Sequence, residues 1–526
     1  MRHRRLRSSA GVVALAVLLG GCSTSNDRED LLVLAEGQEL GGYNPLLGYG
    51  AYGVSPIYEG LLRPRSAADE KVPALVPALA AAAPERIAPR TWRVRLREDV
   101  TFSDGTAFDA ADVAATYRAV VDPAVAADVS GTLGPVTAVR ADGEHAVTVA
   151  LDTDADPSPY LLVGIVPSER IEAAPAANWK LNTAPVGTGP FRLESLEPDQ
   201  AVLVANEEYR GPAPALRRVV YTYAPDDNNR AQRVSSGEVD GANLPPKLAD
   251  SLKGENGVRV TGVHTADWRS VSLPAGNAFT ADLEARRAMN LGIDRAAVVA
   301  EVLGGHGSPA SNPVSPVYDG AYEPSAQFSF DPGEAGAILD RAGWRRGADG
   351  IRARGADTAR FTVLYQAGDT ARRDLAVAFA AAMKPLGIDV RPRGSTWDEI
   401  DTRLDTDAVL LGGGDTPYSI DAQVFTTLHT RIPGGSPYSN PGDFTAPGMD
   451  ALLDAARQSA PGPENDARYR RIQSLYKAAP SSVFLVFLQH TYASRGTGWT
   501  FDAPILEPHS HGVTWGPWWN LASWRR

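Results

Sequence analysis

Short apolar runs alternate with Ala-rich amphipathic stretches and Gly/Pro turns along most of this chain, the pattern of an α/β layer. Apolar runs at 31–35, 147–151, 361–365 and 408–411 predict strands, as do Val94 with Leu96 and the alternating Val and Tyr of 218–223. Helices are predicted at 110–121, where Asp109 or Asp112 can serve the N-terminus, and at 283–291, 294–303, 333–342 and 370–386. The last of these, between 361–365 and 388–390, completes a strand-helix-strand unit. The run 483–488 is too short to cross a bilayer and predicts a buried strand. The Ala-rich tract 78–83 is expected to be helix or loop. Glycine and proline cluster at 185–190, 304–316, 412–417 and 433–442, where crossing points and cleft loops are expected. There is no internal repeat.

The N-terminus adds a location. Arg2, Arg4, Arg5 and Arg7 precede an apolar run, 11–19, closed by Leu19-Gly20-Gly21-Cys22. A run this short is the core of an export signal rather than a permanent span. Small residues directly before a cysteine resemble the bacterial lipobox, in which the cysteine takes lipid and becomes the new N-terminus. Residues 1–21 are therefore expected to be a signal peptide and 22–30 a lipidated tether, holding the mature chain outside the cytoplasmic membrane. Cys22 is the only cysteine, so no thiol is left for a disulfide, a thiolate metal site or a nucleophile. The formal net charge is −12 over 526 residues, and losing the leader makes it more negative, which excludes nucleic acid as a natural partner. About 505 mature residues suffice for two to four domains.

Seven segments in order resemble one family. They are Tyr58-Glu59-Gly60-Leu61-Leu62; the stretch from Thr91-Trp92 through Phe102-Ser103-Asp104-Gly105-Thr106 to Asp112-Val113; Pro185-Val186-Gly187-Thr188-Gly189-Pro190-Phe191; Asn206-Glu207-Glu208-Tyr209; Ser236-Gly237-Glu238-Val239-Asp240; Arg286-Arg287-Ala288-Met289-Asn290 with Ile293-Asp294-Arg295; and Ala342-Gly343-Trp344. Together they resemble the solute-binding proteins of bacterial ABC importers in the peptide/nickel class, the extracellular solute-binding proteins of family 5. By their own chemistry these blocks are scaffold: a turn former with a permissive glycine at 102–106, and glycines for close backbone approach at 187–189. The resemblance implies an α/β, three-lobed periplasmic-binding-protein fold (cluster C, type II), in which two lobes close about a hinge over cargo. It places lobe I at 31–60, 186–272 and 491–526, the extra lobe II at 61–185 and lobe III at 273–490. It implies a monomer without a cofactor, a small-molecule or peptide cargo, and a membrane permease as partner.

In this class an acidic residue of lobe III often pairs with the ammonium end of a bound peptide. The strand 408–411 and the loop Gly412-Gly413-Gly414-Asp415-Thr416-Pro417-Tyr418 make Asp415 the candidate here, the competing role being a cap on the following helix. Tyr49 and Tyr52, flanked by glycine, fall where lobe I contacts are expected; each is as well suited to the core as to a cleft wall. Trp397 is a further candidate wall. Nickel-chelate binders of the class carry a Trp, an Arg and a His around the metal. Here Gly414 and Pro167 stand at the Trp and Arg positions, no histidine lies between Arg431 and Gln489, and only Tyr418 matches. His509 and His511, two apart, would share one side of a strand and are weak metal candidates. No Gly-x-Ser-x-Gly, His-Glu-x-x-His or cysteine nucleophile supports an enzyme. The expected function is capture of short peptides, with a metal chelate or an opine as alternative and a secreted hydrolase as a remote one.

Overall fold

Two long antiparallel strands carry the architecture in the computed structural model, which describes residues 30–66, 71–255, 257–432, 436–496, 498–509 and 512–526. The export run, Cys22 and His511 lie outside these. The strands of the main sheet, in chain order, are β1 (Leu31–Glu36), β2 (Phe191–Glu197), β3 (Gln200–Ala205), β4 (Arg218–Tyr223), β5 (Gly241–Leu244), β6 (Val258–Ser272), β7 (Arg360–Gln366), β8 (Asp389–Ser395), β9 (Ala408–Gly413) and β10 (Ser482–Arg495). Across the sheet they run β8-β7-β9-β6-β10-β5-β1-β4-β3-β2. The central pair β6 and β10 is shared by two half-sheets. On one flank β5, β1 and β4 are mutually parallel; on the other, β7 is parallel to both β8 and β9.

The register of β6 on β10 shifts between His264 and Trp268, and again at Arg269 and Ser270. Such an irregularity bends and twists a ribbon locally, which suits the place where one half-sheet gives way to the other. The sequence pattern did not mark β6, because its middle, Thr265-Ala266-Asp267-Trp268-Arg269, buries polar side chains between apolar ones. It marked only 483–488 of β10, which in fact continues to Arg495.

The helices that fix the site are α1 (Ala110–Val121), α2 (Asp227–Ser236), α3 (Leu283–Leu291), α4 (Arg295–Glu301), α5 (Pro332–Arg341), α6 (Thr370–Met383), α7 (Trp397–Asp401), α8 (Ile420–Leu428), α9 (Met449–Arg457) and α10 (Pro463–Ala478). Helix α1 uses both expected acids: Asp109 caps it, and the side chain of Asp112 accepts from the Asp109 backbone N–H at 3.0 Å. The tract 78–83 forms no helix; Ala80 instead bridges to Leu96. A separate antiparallel sheet of Glu85–Ala88, Thr91–Arg95, Val136–Ala141 and Ala146–Leu151 packs beneath α1.

The family-like blocks have structural roles here. Glu59 is buried against the guanidinium of Arg210, which also donates to the Ala78 carbonyl at 3.1 Å. Gly187 and Gly189 lie so close to the backbone at Ile57 that a Cβ would stand 2.2 and 2.6 Å from its atoms, a space only glycine can occupy. Arg286, Asn290 and Arg295 each donate to a carbonyl at or just before β10: Pro480 at 2.8 Å, Ser482 at 3.0 Å and Phe484 at 2.8 Å.

Candidate functional site

In parallel α/β layers, ligands collect beyond the carboxyl ends of the strands, where the chain turns into the next helix. Strands β7, β8 and β9 share such an edge, and each is followed by a side-chain-capped helix: Asp369 caps α6, Thr396 caps α7 and Ser419 caps α8. Arg372 stands in the first turn of α6 and Trp397 opens α7. Asp415 follows β9, exposed, two residues beyond its end. Since Ser419 accepts from Ala422 N, Asp415 is not the cap of α8.

Strand β9 is only half paired. Val409 to Gly413 are matched with Ser272 to Trp268 of β6, whereas on the other side β7 meets only Ala408 and Val409. Leu410 to Gly413 therefore have no ladder partner on that side among the described residues, the arrangement to which an extended peptide can add. The loop beyond is held from behind. Gly414 has φ 112° and sits where a Cβ would be 2.3 Å from the Ala266 carbonyl oxygen, and its own carbonyl accepts from His509 N at 3.2 Å.

A buried ionic network lies beneath this edge. Asp267 is 0% exposed and is shared by Arg269, His490 and His509. His490 is fully enclosed; its Nδ1 donates to Glu507 at 2.8 Å and its Nε2 to Asp267 at 3.3 Å. Glu507 also accepts from the Tyr492 hydroxyl at 2.8 Å and from Gly516 N at 2.7 Å. Burial alone would push the His490 pKa down, but the two carboxylates raise it to about 9, so both ring nitrogens carry protons at neutral pH. Burial opposes ionisation of Asp267 too, yet Arg269 and the two histidines hold it well below the usual carboxylate range.

The two shifts give stability a pH window. His490 is raised above its unfolded value near 6.5, so its contribution is complete below that pH and is lost as pH rises through 9. Asp267 is lowered, so its contribution is present above about pH 4 and is lost as pH falls below it. Denaturant unfolding should therefore show greatest stability between about pH 4 and 6.5, with a decline of about 2–3 kcal/mol by pH 9. His490→Gln should flatten that alkaline decline. An unchanged slope in the variant would assign it to other groups.

The remaining candidates divide. Tyr418 is buried, donates to the Leu506 carbonyl at 3.4 Å, and shares one core cluster with Tyr52; burial, then Glu507, raises its phenol well above the ordinary value. Of the two roles open to Tyr49, the contacts seen are those of packing. Its ring packs edge-on against Tyr43 and Tyr58, with centroids 5.0 and 6.3 Å away, and its hydroxyl is buried, so it supports the loop instead of presenting a hydroxyl to a cleft. Trp397 keeps 38% exposure, lies edge-on to Tyr438 and carries the Arg372 guanidinium 5.5 Å from its ring centroid. His509 belongs to no strand, and its acidic partner, invisible along the sequence, is Asp267. Among the described residues no group of three or more His, Asp or Glu could hold a metal ion, and no helix is long and apolar enough to cross a membrane.

Sequence reasoning missed Asp267, Arg269, Arg372, His490 and Glu507. The only signal available was the sight of Asp and Arg inside an otherwise apolar stretch. A cavity of about 690 Å³ also opens beside the crossing strands, lined by 261–265, 487–489, Ser308, Val317, Leu506 and Lys71 among others; it includes neither Asp415 nor Arg372.

Residues 74–434 match the bacterial extracellular solute-binding proteins, family 5 (middle part). Protein XP55 of Streptomyces lividans is 37% identical over 518 residues, covering 95% of this chain and 93% of that protein. Among solved structures, NikZ of Campylobacter jejuni in complex with Ni(L-His) superposes with a TM-score of 0.80 at 20% identity, covering 95% of this chain and 100% of that one. The oligopeptide-binding protein AppA of Bacillus subtilis, with a bound nonapeptide, gives 0.76 at 21% identity, covering 94% and 98%. The mixed α/β architecture described above is that of the type II periplasmic-binding fold.

Proposed function

The chain belongs to the bacterial extracellular solute-binding proteins of family 5, which serve ABC importers, and we propose that its cargo is a short peptide with a free amino end. One observation carries this reading: an exposed carboxylate, Asp415, stands at the end of a strand whose β7-facing side lacks a ladder partner at 410–413 among the described residues. A peptide added along that edge satisfies backbone donors and acceptors irrespective of side chains, and its ammonium group meets the carboxylate at the strand end. Neighbouring structures with bound oligopeptide support the same use of the fold.

Lobe I takes 31–60, 186–272 and 491–526, lobe II 61–185 and lobe III 273–490, with β6 and β10 as the crossing. Cargo that touches both half-sheets favours the closed arrangement over the open one by its difference in affinity for the two. Small-angle scattering of the mature chain should show a smaller radius of gyration with saturating peptide than without. An unchanged radius would indicate a static scaffold.

The protein works at the outer face of the membrane, and Cys22 carries its lipid. Cys22→Ser should release the mature chain into the medium or leave it unprocessed. Normal membrane retention of a processed variant would remove the anchor from the account.

A further inference from the structure

The loop that carries Asp415 runs on into a segment that reaches beyond its own lobe. Within lobe III the loop is held by Tyr318, whose hydroxyl donates to the Pro417 carbonyl at 2.8 Å. Tyr418, next in the chain, sits in the core cluster of lobes I and II and donates to the Leu506 carbonyl of lobe I at 3.4 Å. In the first turn of α8, Asp421 accepts from the Tyr160 hydroxyl of lobe II at 3.3 Å and from Arg457 Nε of its own lobe at 2.9 Å. Each partner is fixed within its lobe. Tyr160 is buried; its carbonyl accepts from the Tyr117 hydroxyl of α1 at 3.1 Å, and its ring fills the space beside Gly134, where a Cβ would stand 2.4 Å from it. Arg457, at the end of α9, has its guanidinium 3.2 Å from the centroid of the Phe425 ring. The Asp421 side chain is only 13% exposed, and its Oδ1 is buried without a donor among the described residues. A carboxylate so placed recovers hydration when the lobes part. The contact is therefore strong enough to bias closure and too weak to lock it. A second link between lobes II and III, Lys71 with Asp319, is more than half exposed on both sides and adds little.

We propose that residues 418–421 are a latch: they dock on lobes I and II as the cleft closes, and the Tyr160 hydroxyl on Asp421 holds the closed arrangement. This rests on the hinge closure proposed above and supplies the contact that completes it. Asp415 and Asp421 belong to one continuous segment, so cargo that draws the Asp415 loop into place also presents Asp421 to Tyr160. Affinity then depends on a contact the cargo never touches, because whatever favours the closed arrangement raises the share of chain competent to hold cargo.

Spin labels on Val121→Cys of α1 and Val377→Cys of α6, both exposed positions, report the distance between lobes II and III. They are placed on the mature chain carrying Cys22→Ser, so that no other thiol competes, and read with and without trialanine. Tyr160→Phe removes the hydroxyl and keeps the packed ring. It should lower the closed fraction of the chain without cargo and weaken trialanine binding, measured by calorimetry, about twofold to tenfold, the worth of one hydrogen bond. Asp421→Ala should cause a comparable loss, and adding Tyr160→Phe to it should cost nothing further; thermal melting checks that each variant is folded. A loss of the same size from Tyr160→Phe in the Asp421→Ala chain would assign Tyr160 to packing and overturn the latch. If trialanine binds but leaves the distance unchanged, hinge closure falls and takes the latch with it. If the distance shortens with trialanine while Tyr160→Phe keeps the wild-type closed fraction and affinity, closure stands and the latch falls. If trialanine does not bind, the peptide reading falls, and a cargo-free chain with no closed distance, or one whose closed fraction Tyr160→Phe does not change, overturns the latch.

Discussion

Replacing Asp415 by Asn is expected to weaken binding of a free-amino tripeptide by about tenfold to a hundredfold, the range for a hydrogen bond to a charged group of about 1.5–3 kcal/mol. The carboxylate is exposed in the absence of cargo, so the loss should fall short of that for a pair buried throughout. The fold should not suffer, because α8 is capped by Ser419 and the loop is positioned by Gly414 and His509. The informative comparison is a cycle. N-acetylation of the peptide should cost the wild type about as much as the mutation does, and should cost the variant little more. For an anionic opine or a metal chelate, loss of the negative charge should leave binding unchanged or improve it. A variant that binds free and acetylated peptides with wild-type affinity removes Asp415 from the site.

Glu507→Ala should be the most destabilising single change in the network, lowering the unfolding free energy by about 3–5 kcal/mol. Glu507 is 1% exposed and accepts from His490, Tyr492 and Gly516 at 2.7–2.8 Å. Removing it leaves the buried imidazolium with Asp267 alone, already shared by Arg269 and His509, and deprives two further donors of their acceptor. Its segment also holds the crossing, since Ala266 N donates to the Glu507 carbonyl and Glu507 N to that of His264. Glu507→Gln keeps one acceptor oxygen and should cost less. Denaturant unfolding at pH 6 measures both; an alanine variant within about 1 kcal/mol of wild type would show that water replaces the carboxylate without difficulty.

Elements with a single clear period were legible in the sequence. The strand at 218–223 and the helices at 110–121 and 283–291 stand within a residue of where pattern and caps put them, the strand because Val and Tyr dominate it and the helices because each has a buried stripe and an acidic cap. The crossing strand β6 was not, since its buried positions include polar Asp267, Arg269, Ser270 and Ser272, and Asp267 and Arg269 find partners at His490 and His509. A charge paired across more than two hundred residues looks in one dimension like a charge on the surface. For the same reason nothing in the local sequence joins His509 to Asp267. The loop carrying Asp415 could be found from its glycines and its strand, but whether Tyr49 faces cargo or core depended on Tyr43 and Tyr58, which no local pattern reveals.

Native mass spectrometry of protein purified without refolding tests the central claim most directly, because a closed cleft retains what it captured. The account predicts a complex whose excess mass is that of a short peptide with a free amino end, released on mild activation. A retained metal chelate, a cargo without a primary amine, or a bare chain that stays bare after incubation with tripeptide mixtures would contradict it.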